Sequence, residues 1–144
     1  MVTIDNTLLK LQELCNGLEA VKRNHYIPKS KNKEDDVLHS YSVAMLAWYI
    51  IEKHNLDLNL EKVLKYSMVH DFAEIYAGDT NIFSSKSERV AKEAKEKAFL
   101  SQIESELSNF KSLINVARDY DLKNDNESNL YGLLIKYKLG YKVR

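Results

Sequence analysis

A single cysteine, Cys15, stands among 144 residues. No internal disulfide can form, and nothing in the thiol content asks for an oxidising compartment. Proline occurs once and glycine four times; strand-and-turn architectures need more such breakers, so an all-β fold is disfavoured. Net charge is also missing, because 21 Lys and Arg balance 21 Asp and Glu. That removes the bulk electrostatic reason to expect nucleic acid as a partner, while a small anionic ligand needs only a local cluster. No apolar run approaches the roughly 20 residues of a membrane-spanning helix. The opening MVTIDNTLLK lacks a basic segment followed by an apolar one, so no signal peptide is expected. The expectation is one domain over 1–144 in a cytoplasmic protein, with no nucleic-acid and no membrane partner.

What is present is helical periodicity. Leu8, Leu11, Leu14, Cys15, Leu18 and Val21 recur at three and four residues and predict an amphipathic helix over 5–22. Residues 23–36, RNHYIPKSKNKEDD, lose that pattern and read as a long loop. Residues 37–54 are apolar around much of their circumference and predict a central helix. The next helix runs over 59–77, with Asn59 as N-cap and Gly78 as terminator. A polar loop covers 81–87, where Ser85 and Glu88 form a capping-box pattern. A charged helix follows over 86–107, its inner stripe Val90, Ala94, Ala98, Phe99, Ile103 and Leu107. Shorter helices are predicted over 110–120 and 127–139. The fold expected is all-α, a compact bundle of five or six helices.

The chemistry concentrates in KYSMVHDFAEIYAGDT, residues 65–80. His70 and Glu74 are four apart and Asp71 and Glu74 three apart, so on a helix all three can point into one cleft. His39 lies in the apolar 37–54 segment. Alone it would more often be a satisfied core histidine than a ligand. Two imidazoles and a carboxylate with open positions suit a first-row divalent metal, which lowers the pKa of bound water. Glu74, one turn beyond His70, is placed to take the proton. Asp79 follows Gly78 at the helix exit, where it could equally stabilise a turn.

The joint pattern "LHSYSVAMLA … MVHDFAEIYAGDT", followed by "ERVAKEAKEKA", resembles the HD-domain superfamily of metal-dependent phosphohydrolases. Within it the likeness is to the branch containing the 5′-deoxynucleotidases, and it extends from about Leu8 to about Lys138. The resemblance implies a divalent metal (Mn, Co, Fe, Ni, Zn or Mg) held by His39, His70 and Asp71. It implies Glu74 as the residue that activates or positions the attacking water, and Asp79 as the carboxylate that helps at the reacting phosphate. Arg23 resembles an arginine near the nucleotide phosphate, a role its planar donor fork suits; a solvated helix end would explain it as well. Thr80 joins Arg23 as a candidate substrate-binding residue. The expected activity is hydrolysis of (deoxy)nucleoside 5′-monophosphates, and a homodimer is plausible by the same resemblance.

One element of the superfamily pattern is missing. Its fourth ligand is an aspartate on a late helix, and "ESNLYGLLIKYKLG" places Ile135 there. Members of the family usually continue with further helix beyond the point where this chain ends, at Arg144. Three explanations stand: Asp119, Asp121 or Asp125 supplies the ligand; the chain is a degenerate, non-catalytic nucleotide-binding or regulatory member; or a water or neighbouring subunit fills the position.

Overall fold

The computed structural model describes residues 4–27, 29–78 and 84–138. Its elements are α1 (Asn6–Ala20), β1 (Lys22–Tyr26), β2 (Lys33–Asp35), α2 (Asp36–His54), α3 (Leu60–Val69), α4 (Glu74–Ala77), α5 (Lys86–Glu106), α6 (Lys111–Leu122) and α7 (Asn126–Lys138). The fold is all-α apart from one short hairpin, as the scarcity of breakers predicts. Asp79 and Thr80 lie outside the described residues. No helix of the described residues is long and apolar enough to cross a membrane. The chain divides into two units, Met1–Val37 with Asp71–Ile114 and Leu38–His70 with Asn115–Arg144.

In the first unit Asp5 caps α1 by accepting from the Leu8 N–H at 2.9 Å. Residues 23–36 are not the long loop expected: β1 and β2 pair antiparallel, with Lys22 opposite Asp35 and Tyr26 opposite Lys33. The inward positions of this hairpin are Arg23 and Glu34, both buried. A hairpin whose buried residues are charged gives no apolar alternation for a sequence reading to find. The predicted 59–77 helix is also broken. The N–H groups of Glu74, Ile75 and Tyr76 bond to carbonyls three residues back, at 2.9, 3.3 and 3.3 Å. That tightening eclipses positions i and i+3, so Asp71 and Glu74 stand one above the other. Gly78 (φ 75) ends α4. α4 approaches α1 at Gly17, where a Cβ would meet Ile75 Cγ2 at 2.7 Å.

The capping box of Ser85 and Glu88 forms as predicted. The inner stripe of α5 does not: Val90, Ala94 and Ala98 are exposed, and burial starts only at Phe99, Leu100 and Ile103. The first half of α5 is too charged to bury a full face.

The second unit has an apolar core of Val43, Ala47, Ile51, Val63, Tyr66, Tyr120, Tyr131 and Leu134. Asn59 caps α3 through Lys62 N–H at 3.0 Å. Asp125 caps α7 through Ser128 N–H at 2.7 Å and receives the Tyr66 hydroxyl at 2.6 Å. α2 buries a single face. His39, Val43, Ala47 and Ile51 point inward, while Leu38, Tyr41, Met45, Trp48 and Tyr49 form an exposed apolar stripe on the other side. The expectation of a helix covered all round fails there.

Candidate metal centre and its acidic neighbourhood

In the second unit α2 and the end of α3 bring two imidazoles together. His39 is fully buried, and its ring centroid lies 5.5 Å from that of His70. His70 caps the C-terminus of α3 in the αR conformation and donates its backbone N–H to the Tyr66 carbonyl. Its Nδ1 is 3.0 Å from the Ser67 carbonyl. A carbonyl only accepts, so Nδ1 is the donor there; in the neutral tautomer this leaves the lone pair on Nε2, the arrangement a metal-binding imidazole needs. Three tyrosines wall this pair. Tyr120 meets His70 edge-on at 5.8 Å and Tyr131 meets it at 4.7 Å between centroids, and Tyr66 packs on Tyr120 at 5.4 Å.

Asp71, the next residue in the chain, belongs to the first unit and stands in a different environment. One guanidinium nitrogen, Arg23 Nη1, lies 2.9 Å from Asp36 Oδ1, 2.8 Å from Asp71 Oδ2 and 3.8 Å from Glu74 Oε2. Lys92 Nζ holds Glu74 Oε1 at 2.8 Å and Glu96 at 3.3 Å. Asp36, Asp71 and Glu74 offer oxygens within 4.8 Å of one another, so three carboxylates crowd two cations.

Burial, reinforced by the Asp71 and Glu74 charges, pushes Asp36 up to about 7 in spite of Arg23. Burial and the Asp71 charge push Glu74 up to about 7 against the opposing pull of Lys92 and Arg23. For Arg23 itself, burial would lower the pKa, but the charges of Asp71, Glu74 and Asp36 outweigh it and raise it. Among the described residues, Asp36 Oδ2 and Glu74 Oε2 are buried without a hydrogen bond, as is Arg23 Nε. Buried polar atoms are usually paired. This cluster therefore retains acceptor capacity for a cation or a protonated ligand, and donor capacity for an anion.

Arg23 is not at the end of the first helix but on β1, tied to carboxylates rather than facing water. The late-helix question has a structural answer. Ile135 packs against the core of the second unit. The residue of α7 that faces His70 is Tyr131, whose hydroxyl is 3.0 Å from Nδ1 and 3.2 Å from Nε2. Asp125 is engaged by Tyr66, Ser128 and Lys62. Among the described residues neither it nor Asp119 nor Asp121 joins a potential metal-binding group. Sequence reasoning missed Asp36, Lys92 and Tyr131. Asp36 sat in a charge run read as loop, and Lys92 in the charged helix over 86–107, outside its expected inner stripe. Tyr131 carried one legible signal, since it lies four residues before Ile135, on the same helix face.

Comparison with known proteins identifies the family and the fold. The family described as HD domain matches residues 15–139. No curated protein matches the chain. Among solved structures, a predicted metal-dependent phosphohydrolase from Magnetospirillum magnetotacticum MS-1 superposes with a TM-score of 0.78 at 19% identity, covering 96% of this chain and 71% of that one. A conserved hypothetical protein from Pyrococcus furiosus gives a TM-score of 0.67 at 22% identity, covering 90% and 76%.

Proposed function

Because the chain belongs to the HD-domain family, we propose that it is a metal-dependent phosphohydrolase whose substrates are (deoxy)nucleoside 5′-monophosphates. The observation that carries the proposal is the His39–His70 pair, 5.5 Å between rings, with His70 Nδ1 committed to a carbonyl. The donor set fits a divalent cation, and His39, His70 and Asp71 would hold it. Such a cation supplies charge neutralisation at the phosphate and a more acidic water.

Glu74, pushed up to about 7, sits where a base working near neutral pH should sit. Lys92 fixes its Oε1, and Oε2 accepts the proton of the attacking water. As the water oxygen bonds to phosphorus, the bond from phosphorus to the 5′ oxygen breaks and the nucleoside departs. Arg23, with Nε carrying no hydrogen bond, offers a donor to the phosphate, and the hairpin that bears it borders the nucleotide. Asp79 and Thr80 complete the phosphate end. A cytoplasmic setting and a homodimer are part of the proposal. The exposed stripe of Leu38, Tyr41, Met45, Trp48 and Tyr49 supports the dimer.

The test is phosphate release from a panel of nucleoside monophosphates with Mn or Co added. Release that disappears in Asp71→Ala is expected. No bound metal together with no release from any substrate would overturn the assignment. A second reading, a non-catalytic nucleotide-binding member, is favoured by one observation: α7 turns Tyr131 rather than an acid toward His70.

A further inference from the structure

The proposed function gives Arg23 a donor role at the phosphate, and an arginine on a short hairpin needs something to hold it still. The geometry points to Asp36: we infer that it is a positioning residue, which pins one end of the Arg23 guanidinium so that the opposite edge is presented to the substrate phosphate. The inference rests on that reading of Arg23.

The observations that carry it all lie in the first unit. Asp36 donates its backbone N–H to the Val21 carbonyl at 3.2 Å, and its neighbour Asp35 stands opposite Lys22 in the hairpin. Its backbone is thus tied to the strand that carries Arg23. The Asp36 side chain is fully buried, and its Oδ1 accepts from Arg23 Nη1 at 2.9 Å. Asp71 Oδ2 accepts from the same nitrogen at 2.8 Å. Nη1 is the terminal nitrogen on the Cδ side of a guanidinium, outside the parallel fork that Nε and Nη2 form. Both carboxylates therefore engage the end that a side-on phosphate does not use. Among the described residues Nε is buried and has no hydrogen bond, a donor that a phosphate oxygen would satisfy. Stability does not account for Asp36. Its Oδ2 is buried without a hydrogen bond, and a buried ion pair left partly unsatisfied is weak support for a fold. Without Asp36, Nη1 would keep Asp71, and the next anion is Glu74 Oε2 at 3.8 Å. The guanidinium would turn toward Glu74 and carry its fork out of place.

The experiment titrates a nucleoside 5′-phosphonate, in which carbon replaces the bridging 5′ oxygen and hydrolysis is blocked, into the full chain with Mn(II) present. Asp36→Ala should bind it at least about tenfold more weakly than wild type. Asp36→Asn, which keeps an acceptor for Nη1, should recover most of that loss. In an Arg23→Gln background Asp36→Ala should change nothing further, because a residue that acts through Arg23 has nothing left to position. Unchanged affinity in Asp36→Ala overturns the inference. So does an undiminished loss in the Arg23→Gln background, since a merely structural effect does not depend on Arg23. If Asp36→Ala does not fold, NMR of isotope-labelled arginine side chains in the wild type decides the matter: a pinned guanidinium gives separate Nη1 and Nη2 signals, and one averaged signal for Arg23 overturns the inference. A wild type that binds the phosphonate but releases no phosphate from any nucleoside monophosphate overturns the hydrolase reading and leaves this inference standing. A wild type that does not bind the phosphonate overturns this inference.

Discussion

The two units treat their functional groups in opposite ways. In one, His39 and His70 are set among tyrosines and aliphatic side chains. In the other, Asp36, Asp71 and Glu74 share Arg23 and Lys92 in a buried charge network. Under the proposed function the imidazoles would serve as uncharged donors, which lose little by standing in an apolar wall. The carboxylates are held only because cations accompany them, since an unaccompanied buried charge costs several kcal/mol. Substitutions on the two sides should therefore carry different signatures.

The largest effect is expected at Arg23. Arg23→Ala leaves three clustered carboxylates with Lys92 alone, and should destabilise the fold by about 3–5 kcal/mol, read as a lower urea midpoint. A loss under about 1 kcal/mol would mean that the network relaxes into solvent.

Glu74 should separate stability from activity. Its pKa is about 7 in the fold against roughly 4.3 in an unfolded chain. A raised carboxylate favours the fold fully below the unfolded value, and that contribution is lost as pH rises through about 7. In metal-free protein Glu74→Gln should thus be about 1–2 kcal/mol more stable than wild type at pH 8 and equal to it near pH 4. Phosphate release should fall by about 10²–10⁴. Stability curves that stay parallel across this range would contradict the account of the buried charge.

The smallest effect belongs to the second unit. By itself burial would raise Asp125, but hydrogen bonds from Tyr66, the Ser128 N–H and Lys62 outweigh it and hold the carboxyl well below the usual range. A depressed carboxylate stabilises above its unfolded pKa, and the contribution fades as pH falls toward the folded one. Asp125→Ala should cost about 1 kcal/mol at pH 7, and the difference from wild type should shrink below about pH 4. Metal binding should be unaffected, because Asp125 caps α7 rather than serving as a ligand.

Much of this could be read from the chain. Among the described residues seven helices form where apolar spacing and caps predicted most of them, with Asn59, Gly78 and the Ser85–Glu88 box each in the expected role. His39 and His70 meet because His39 lies on the buried face of α2 and His70 caps the end of the next helix. The hairpin was hidden because Arg23 and Glu34, not hydrophobes, are its inward residues. The tightened turn at 70–73 was hidden because the helical period runs straight through it. Asp36 and Lys92 were hidden because a charge in a polar stretch is ordinarily solvated, and only tertiary structure turns it inward. That Tyr131, on the same helix as Ile135, faces His70 was hidden because the packing of α7 is set by tertiary structure.

The central claim is that the two imidazoles are the nitrogen donors of a divalent-metal site. Calorimetric titration of Mn(II) into wild type and into folded His39→Ala tests it most directly. The account predicts one binding event in wild type and at least about a hundredfold weaker binding in the variant; equal affinity in the two proteins would contradict it.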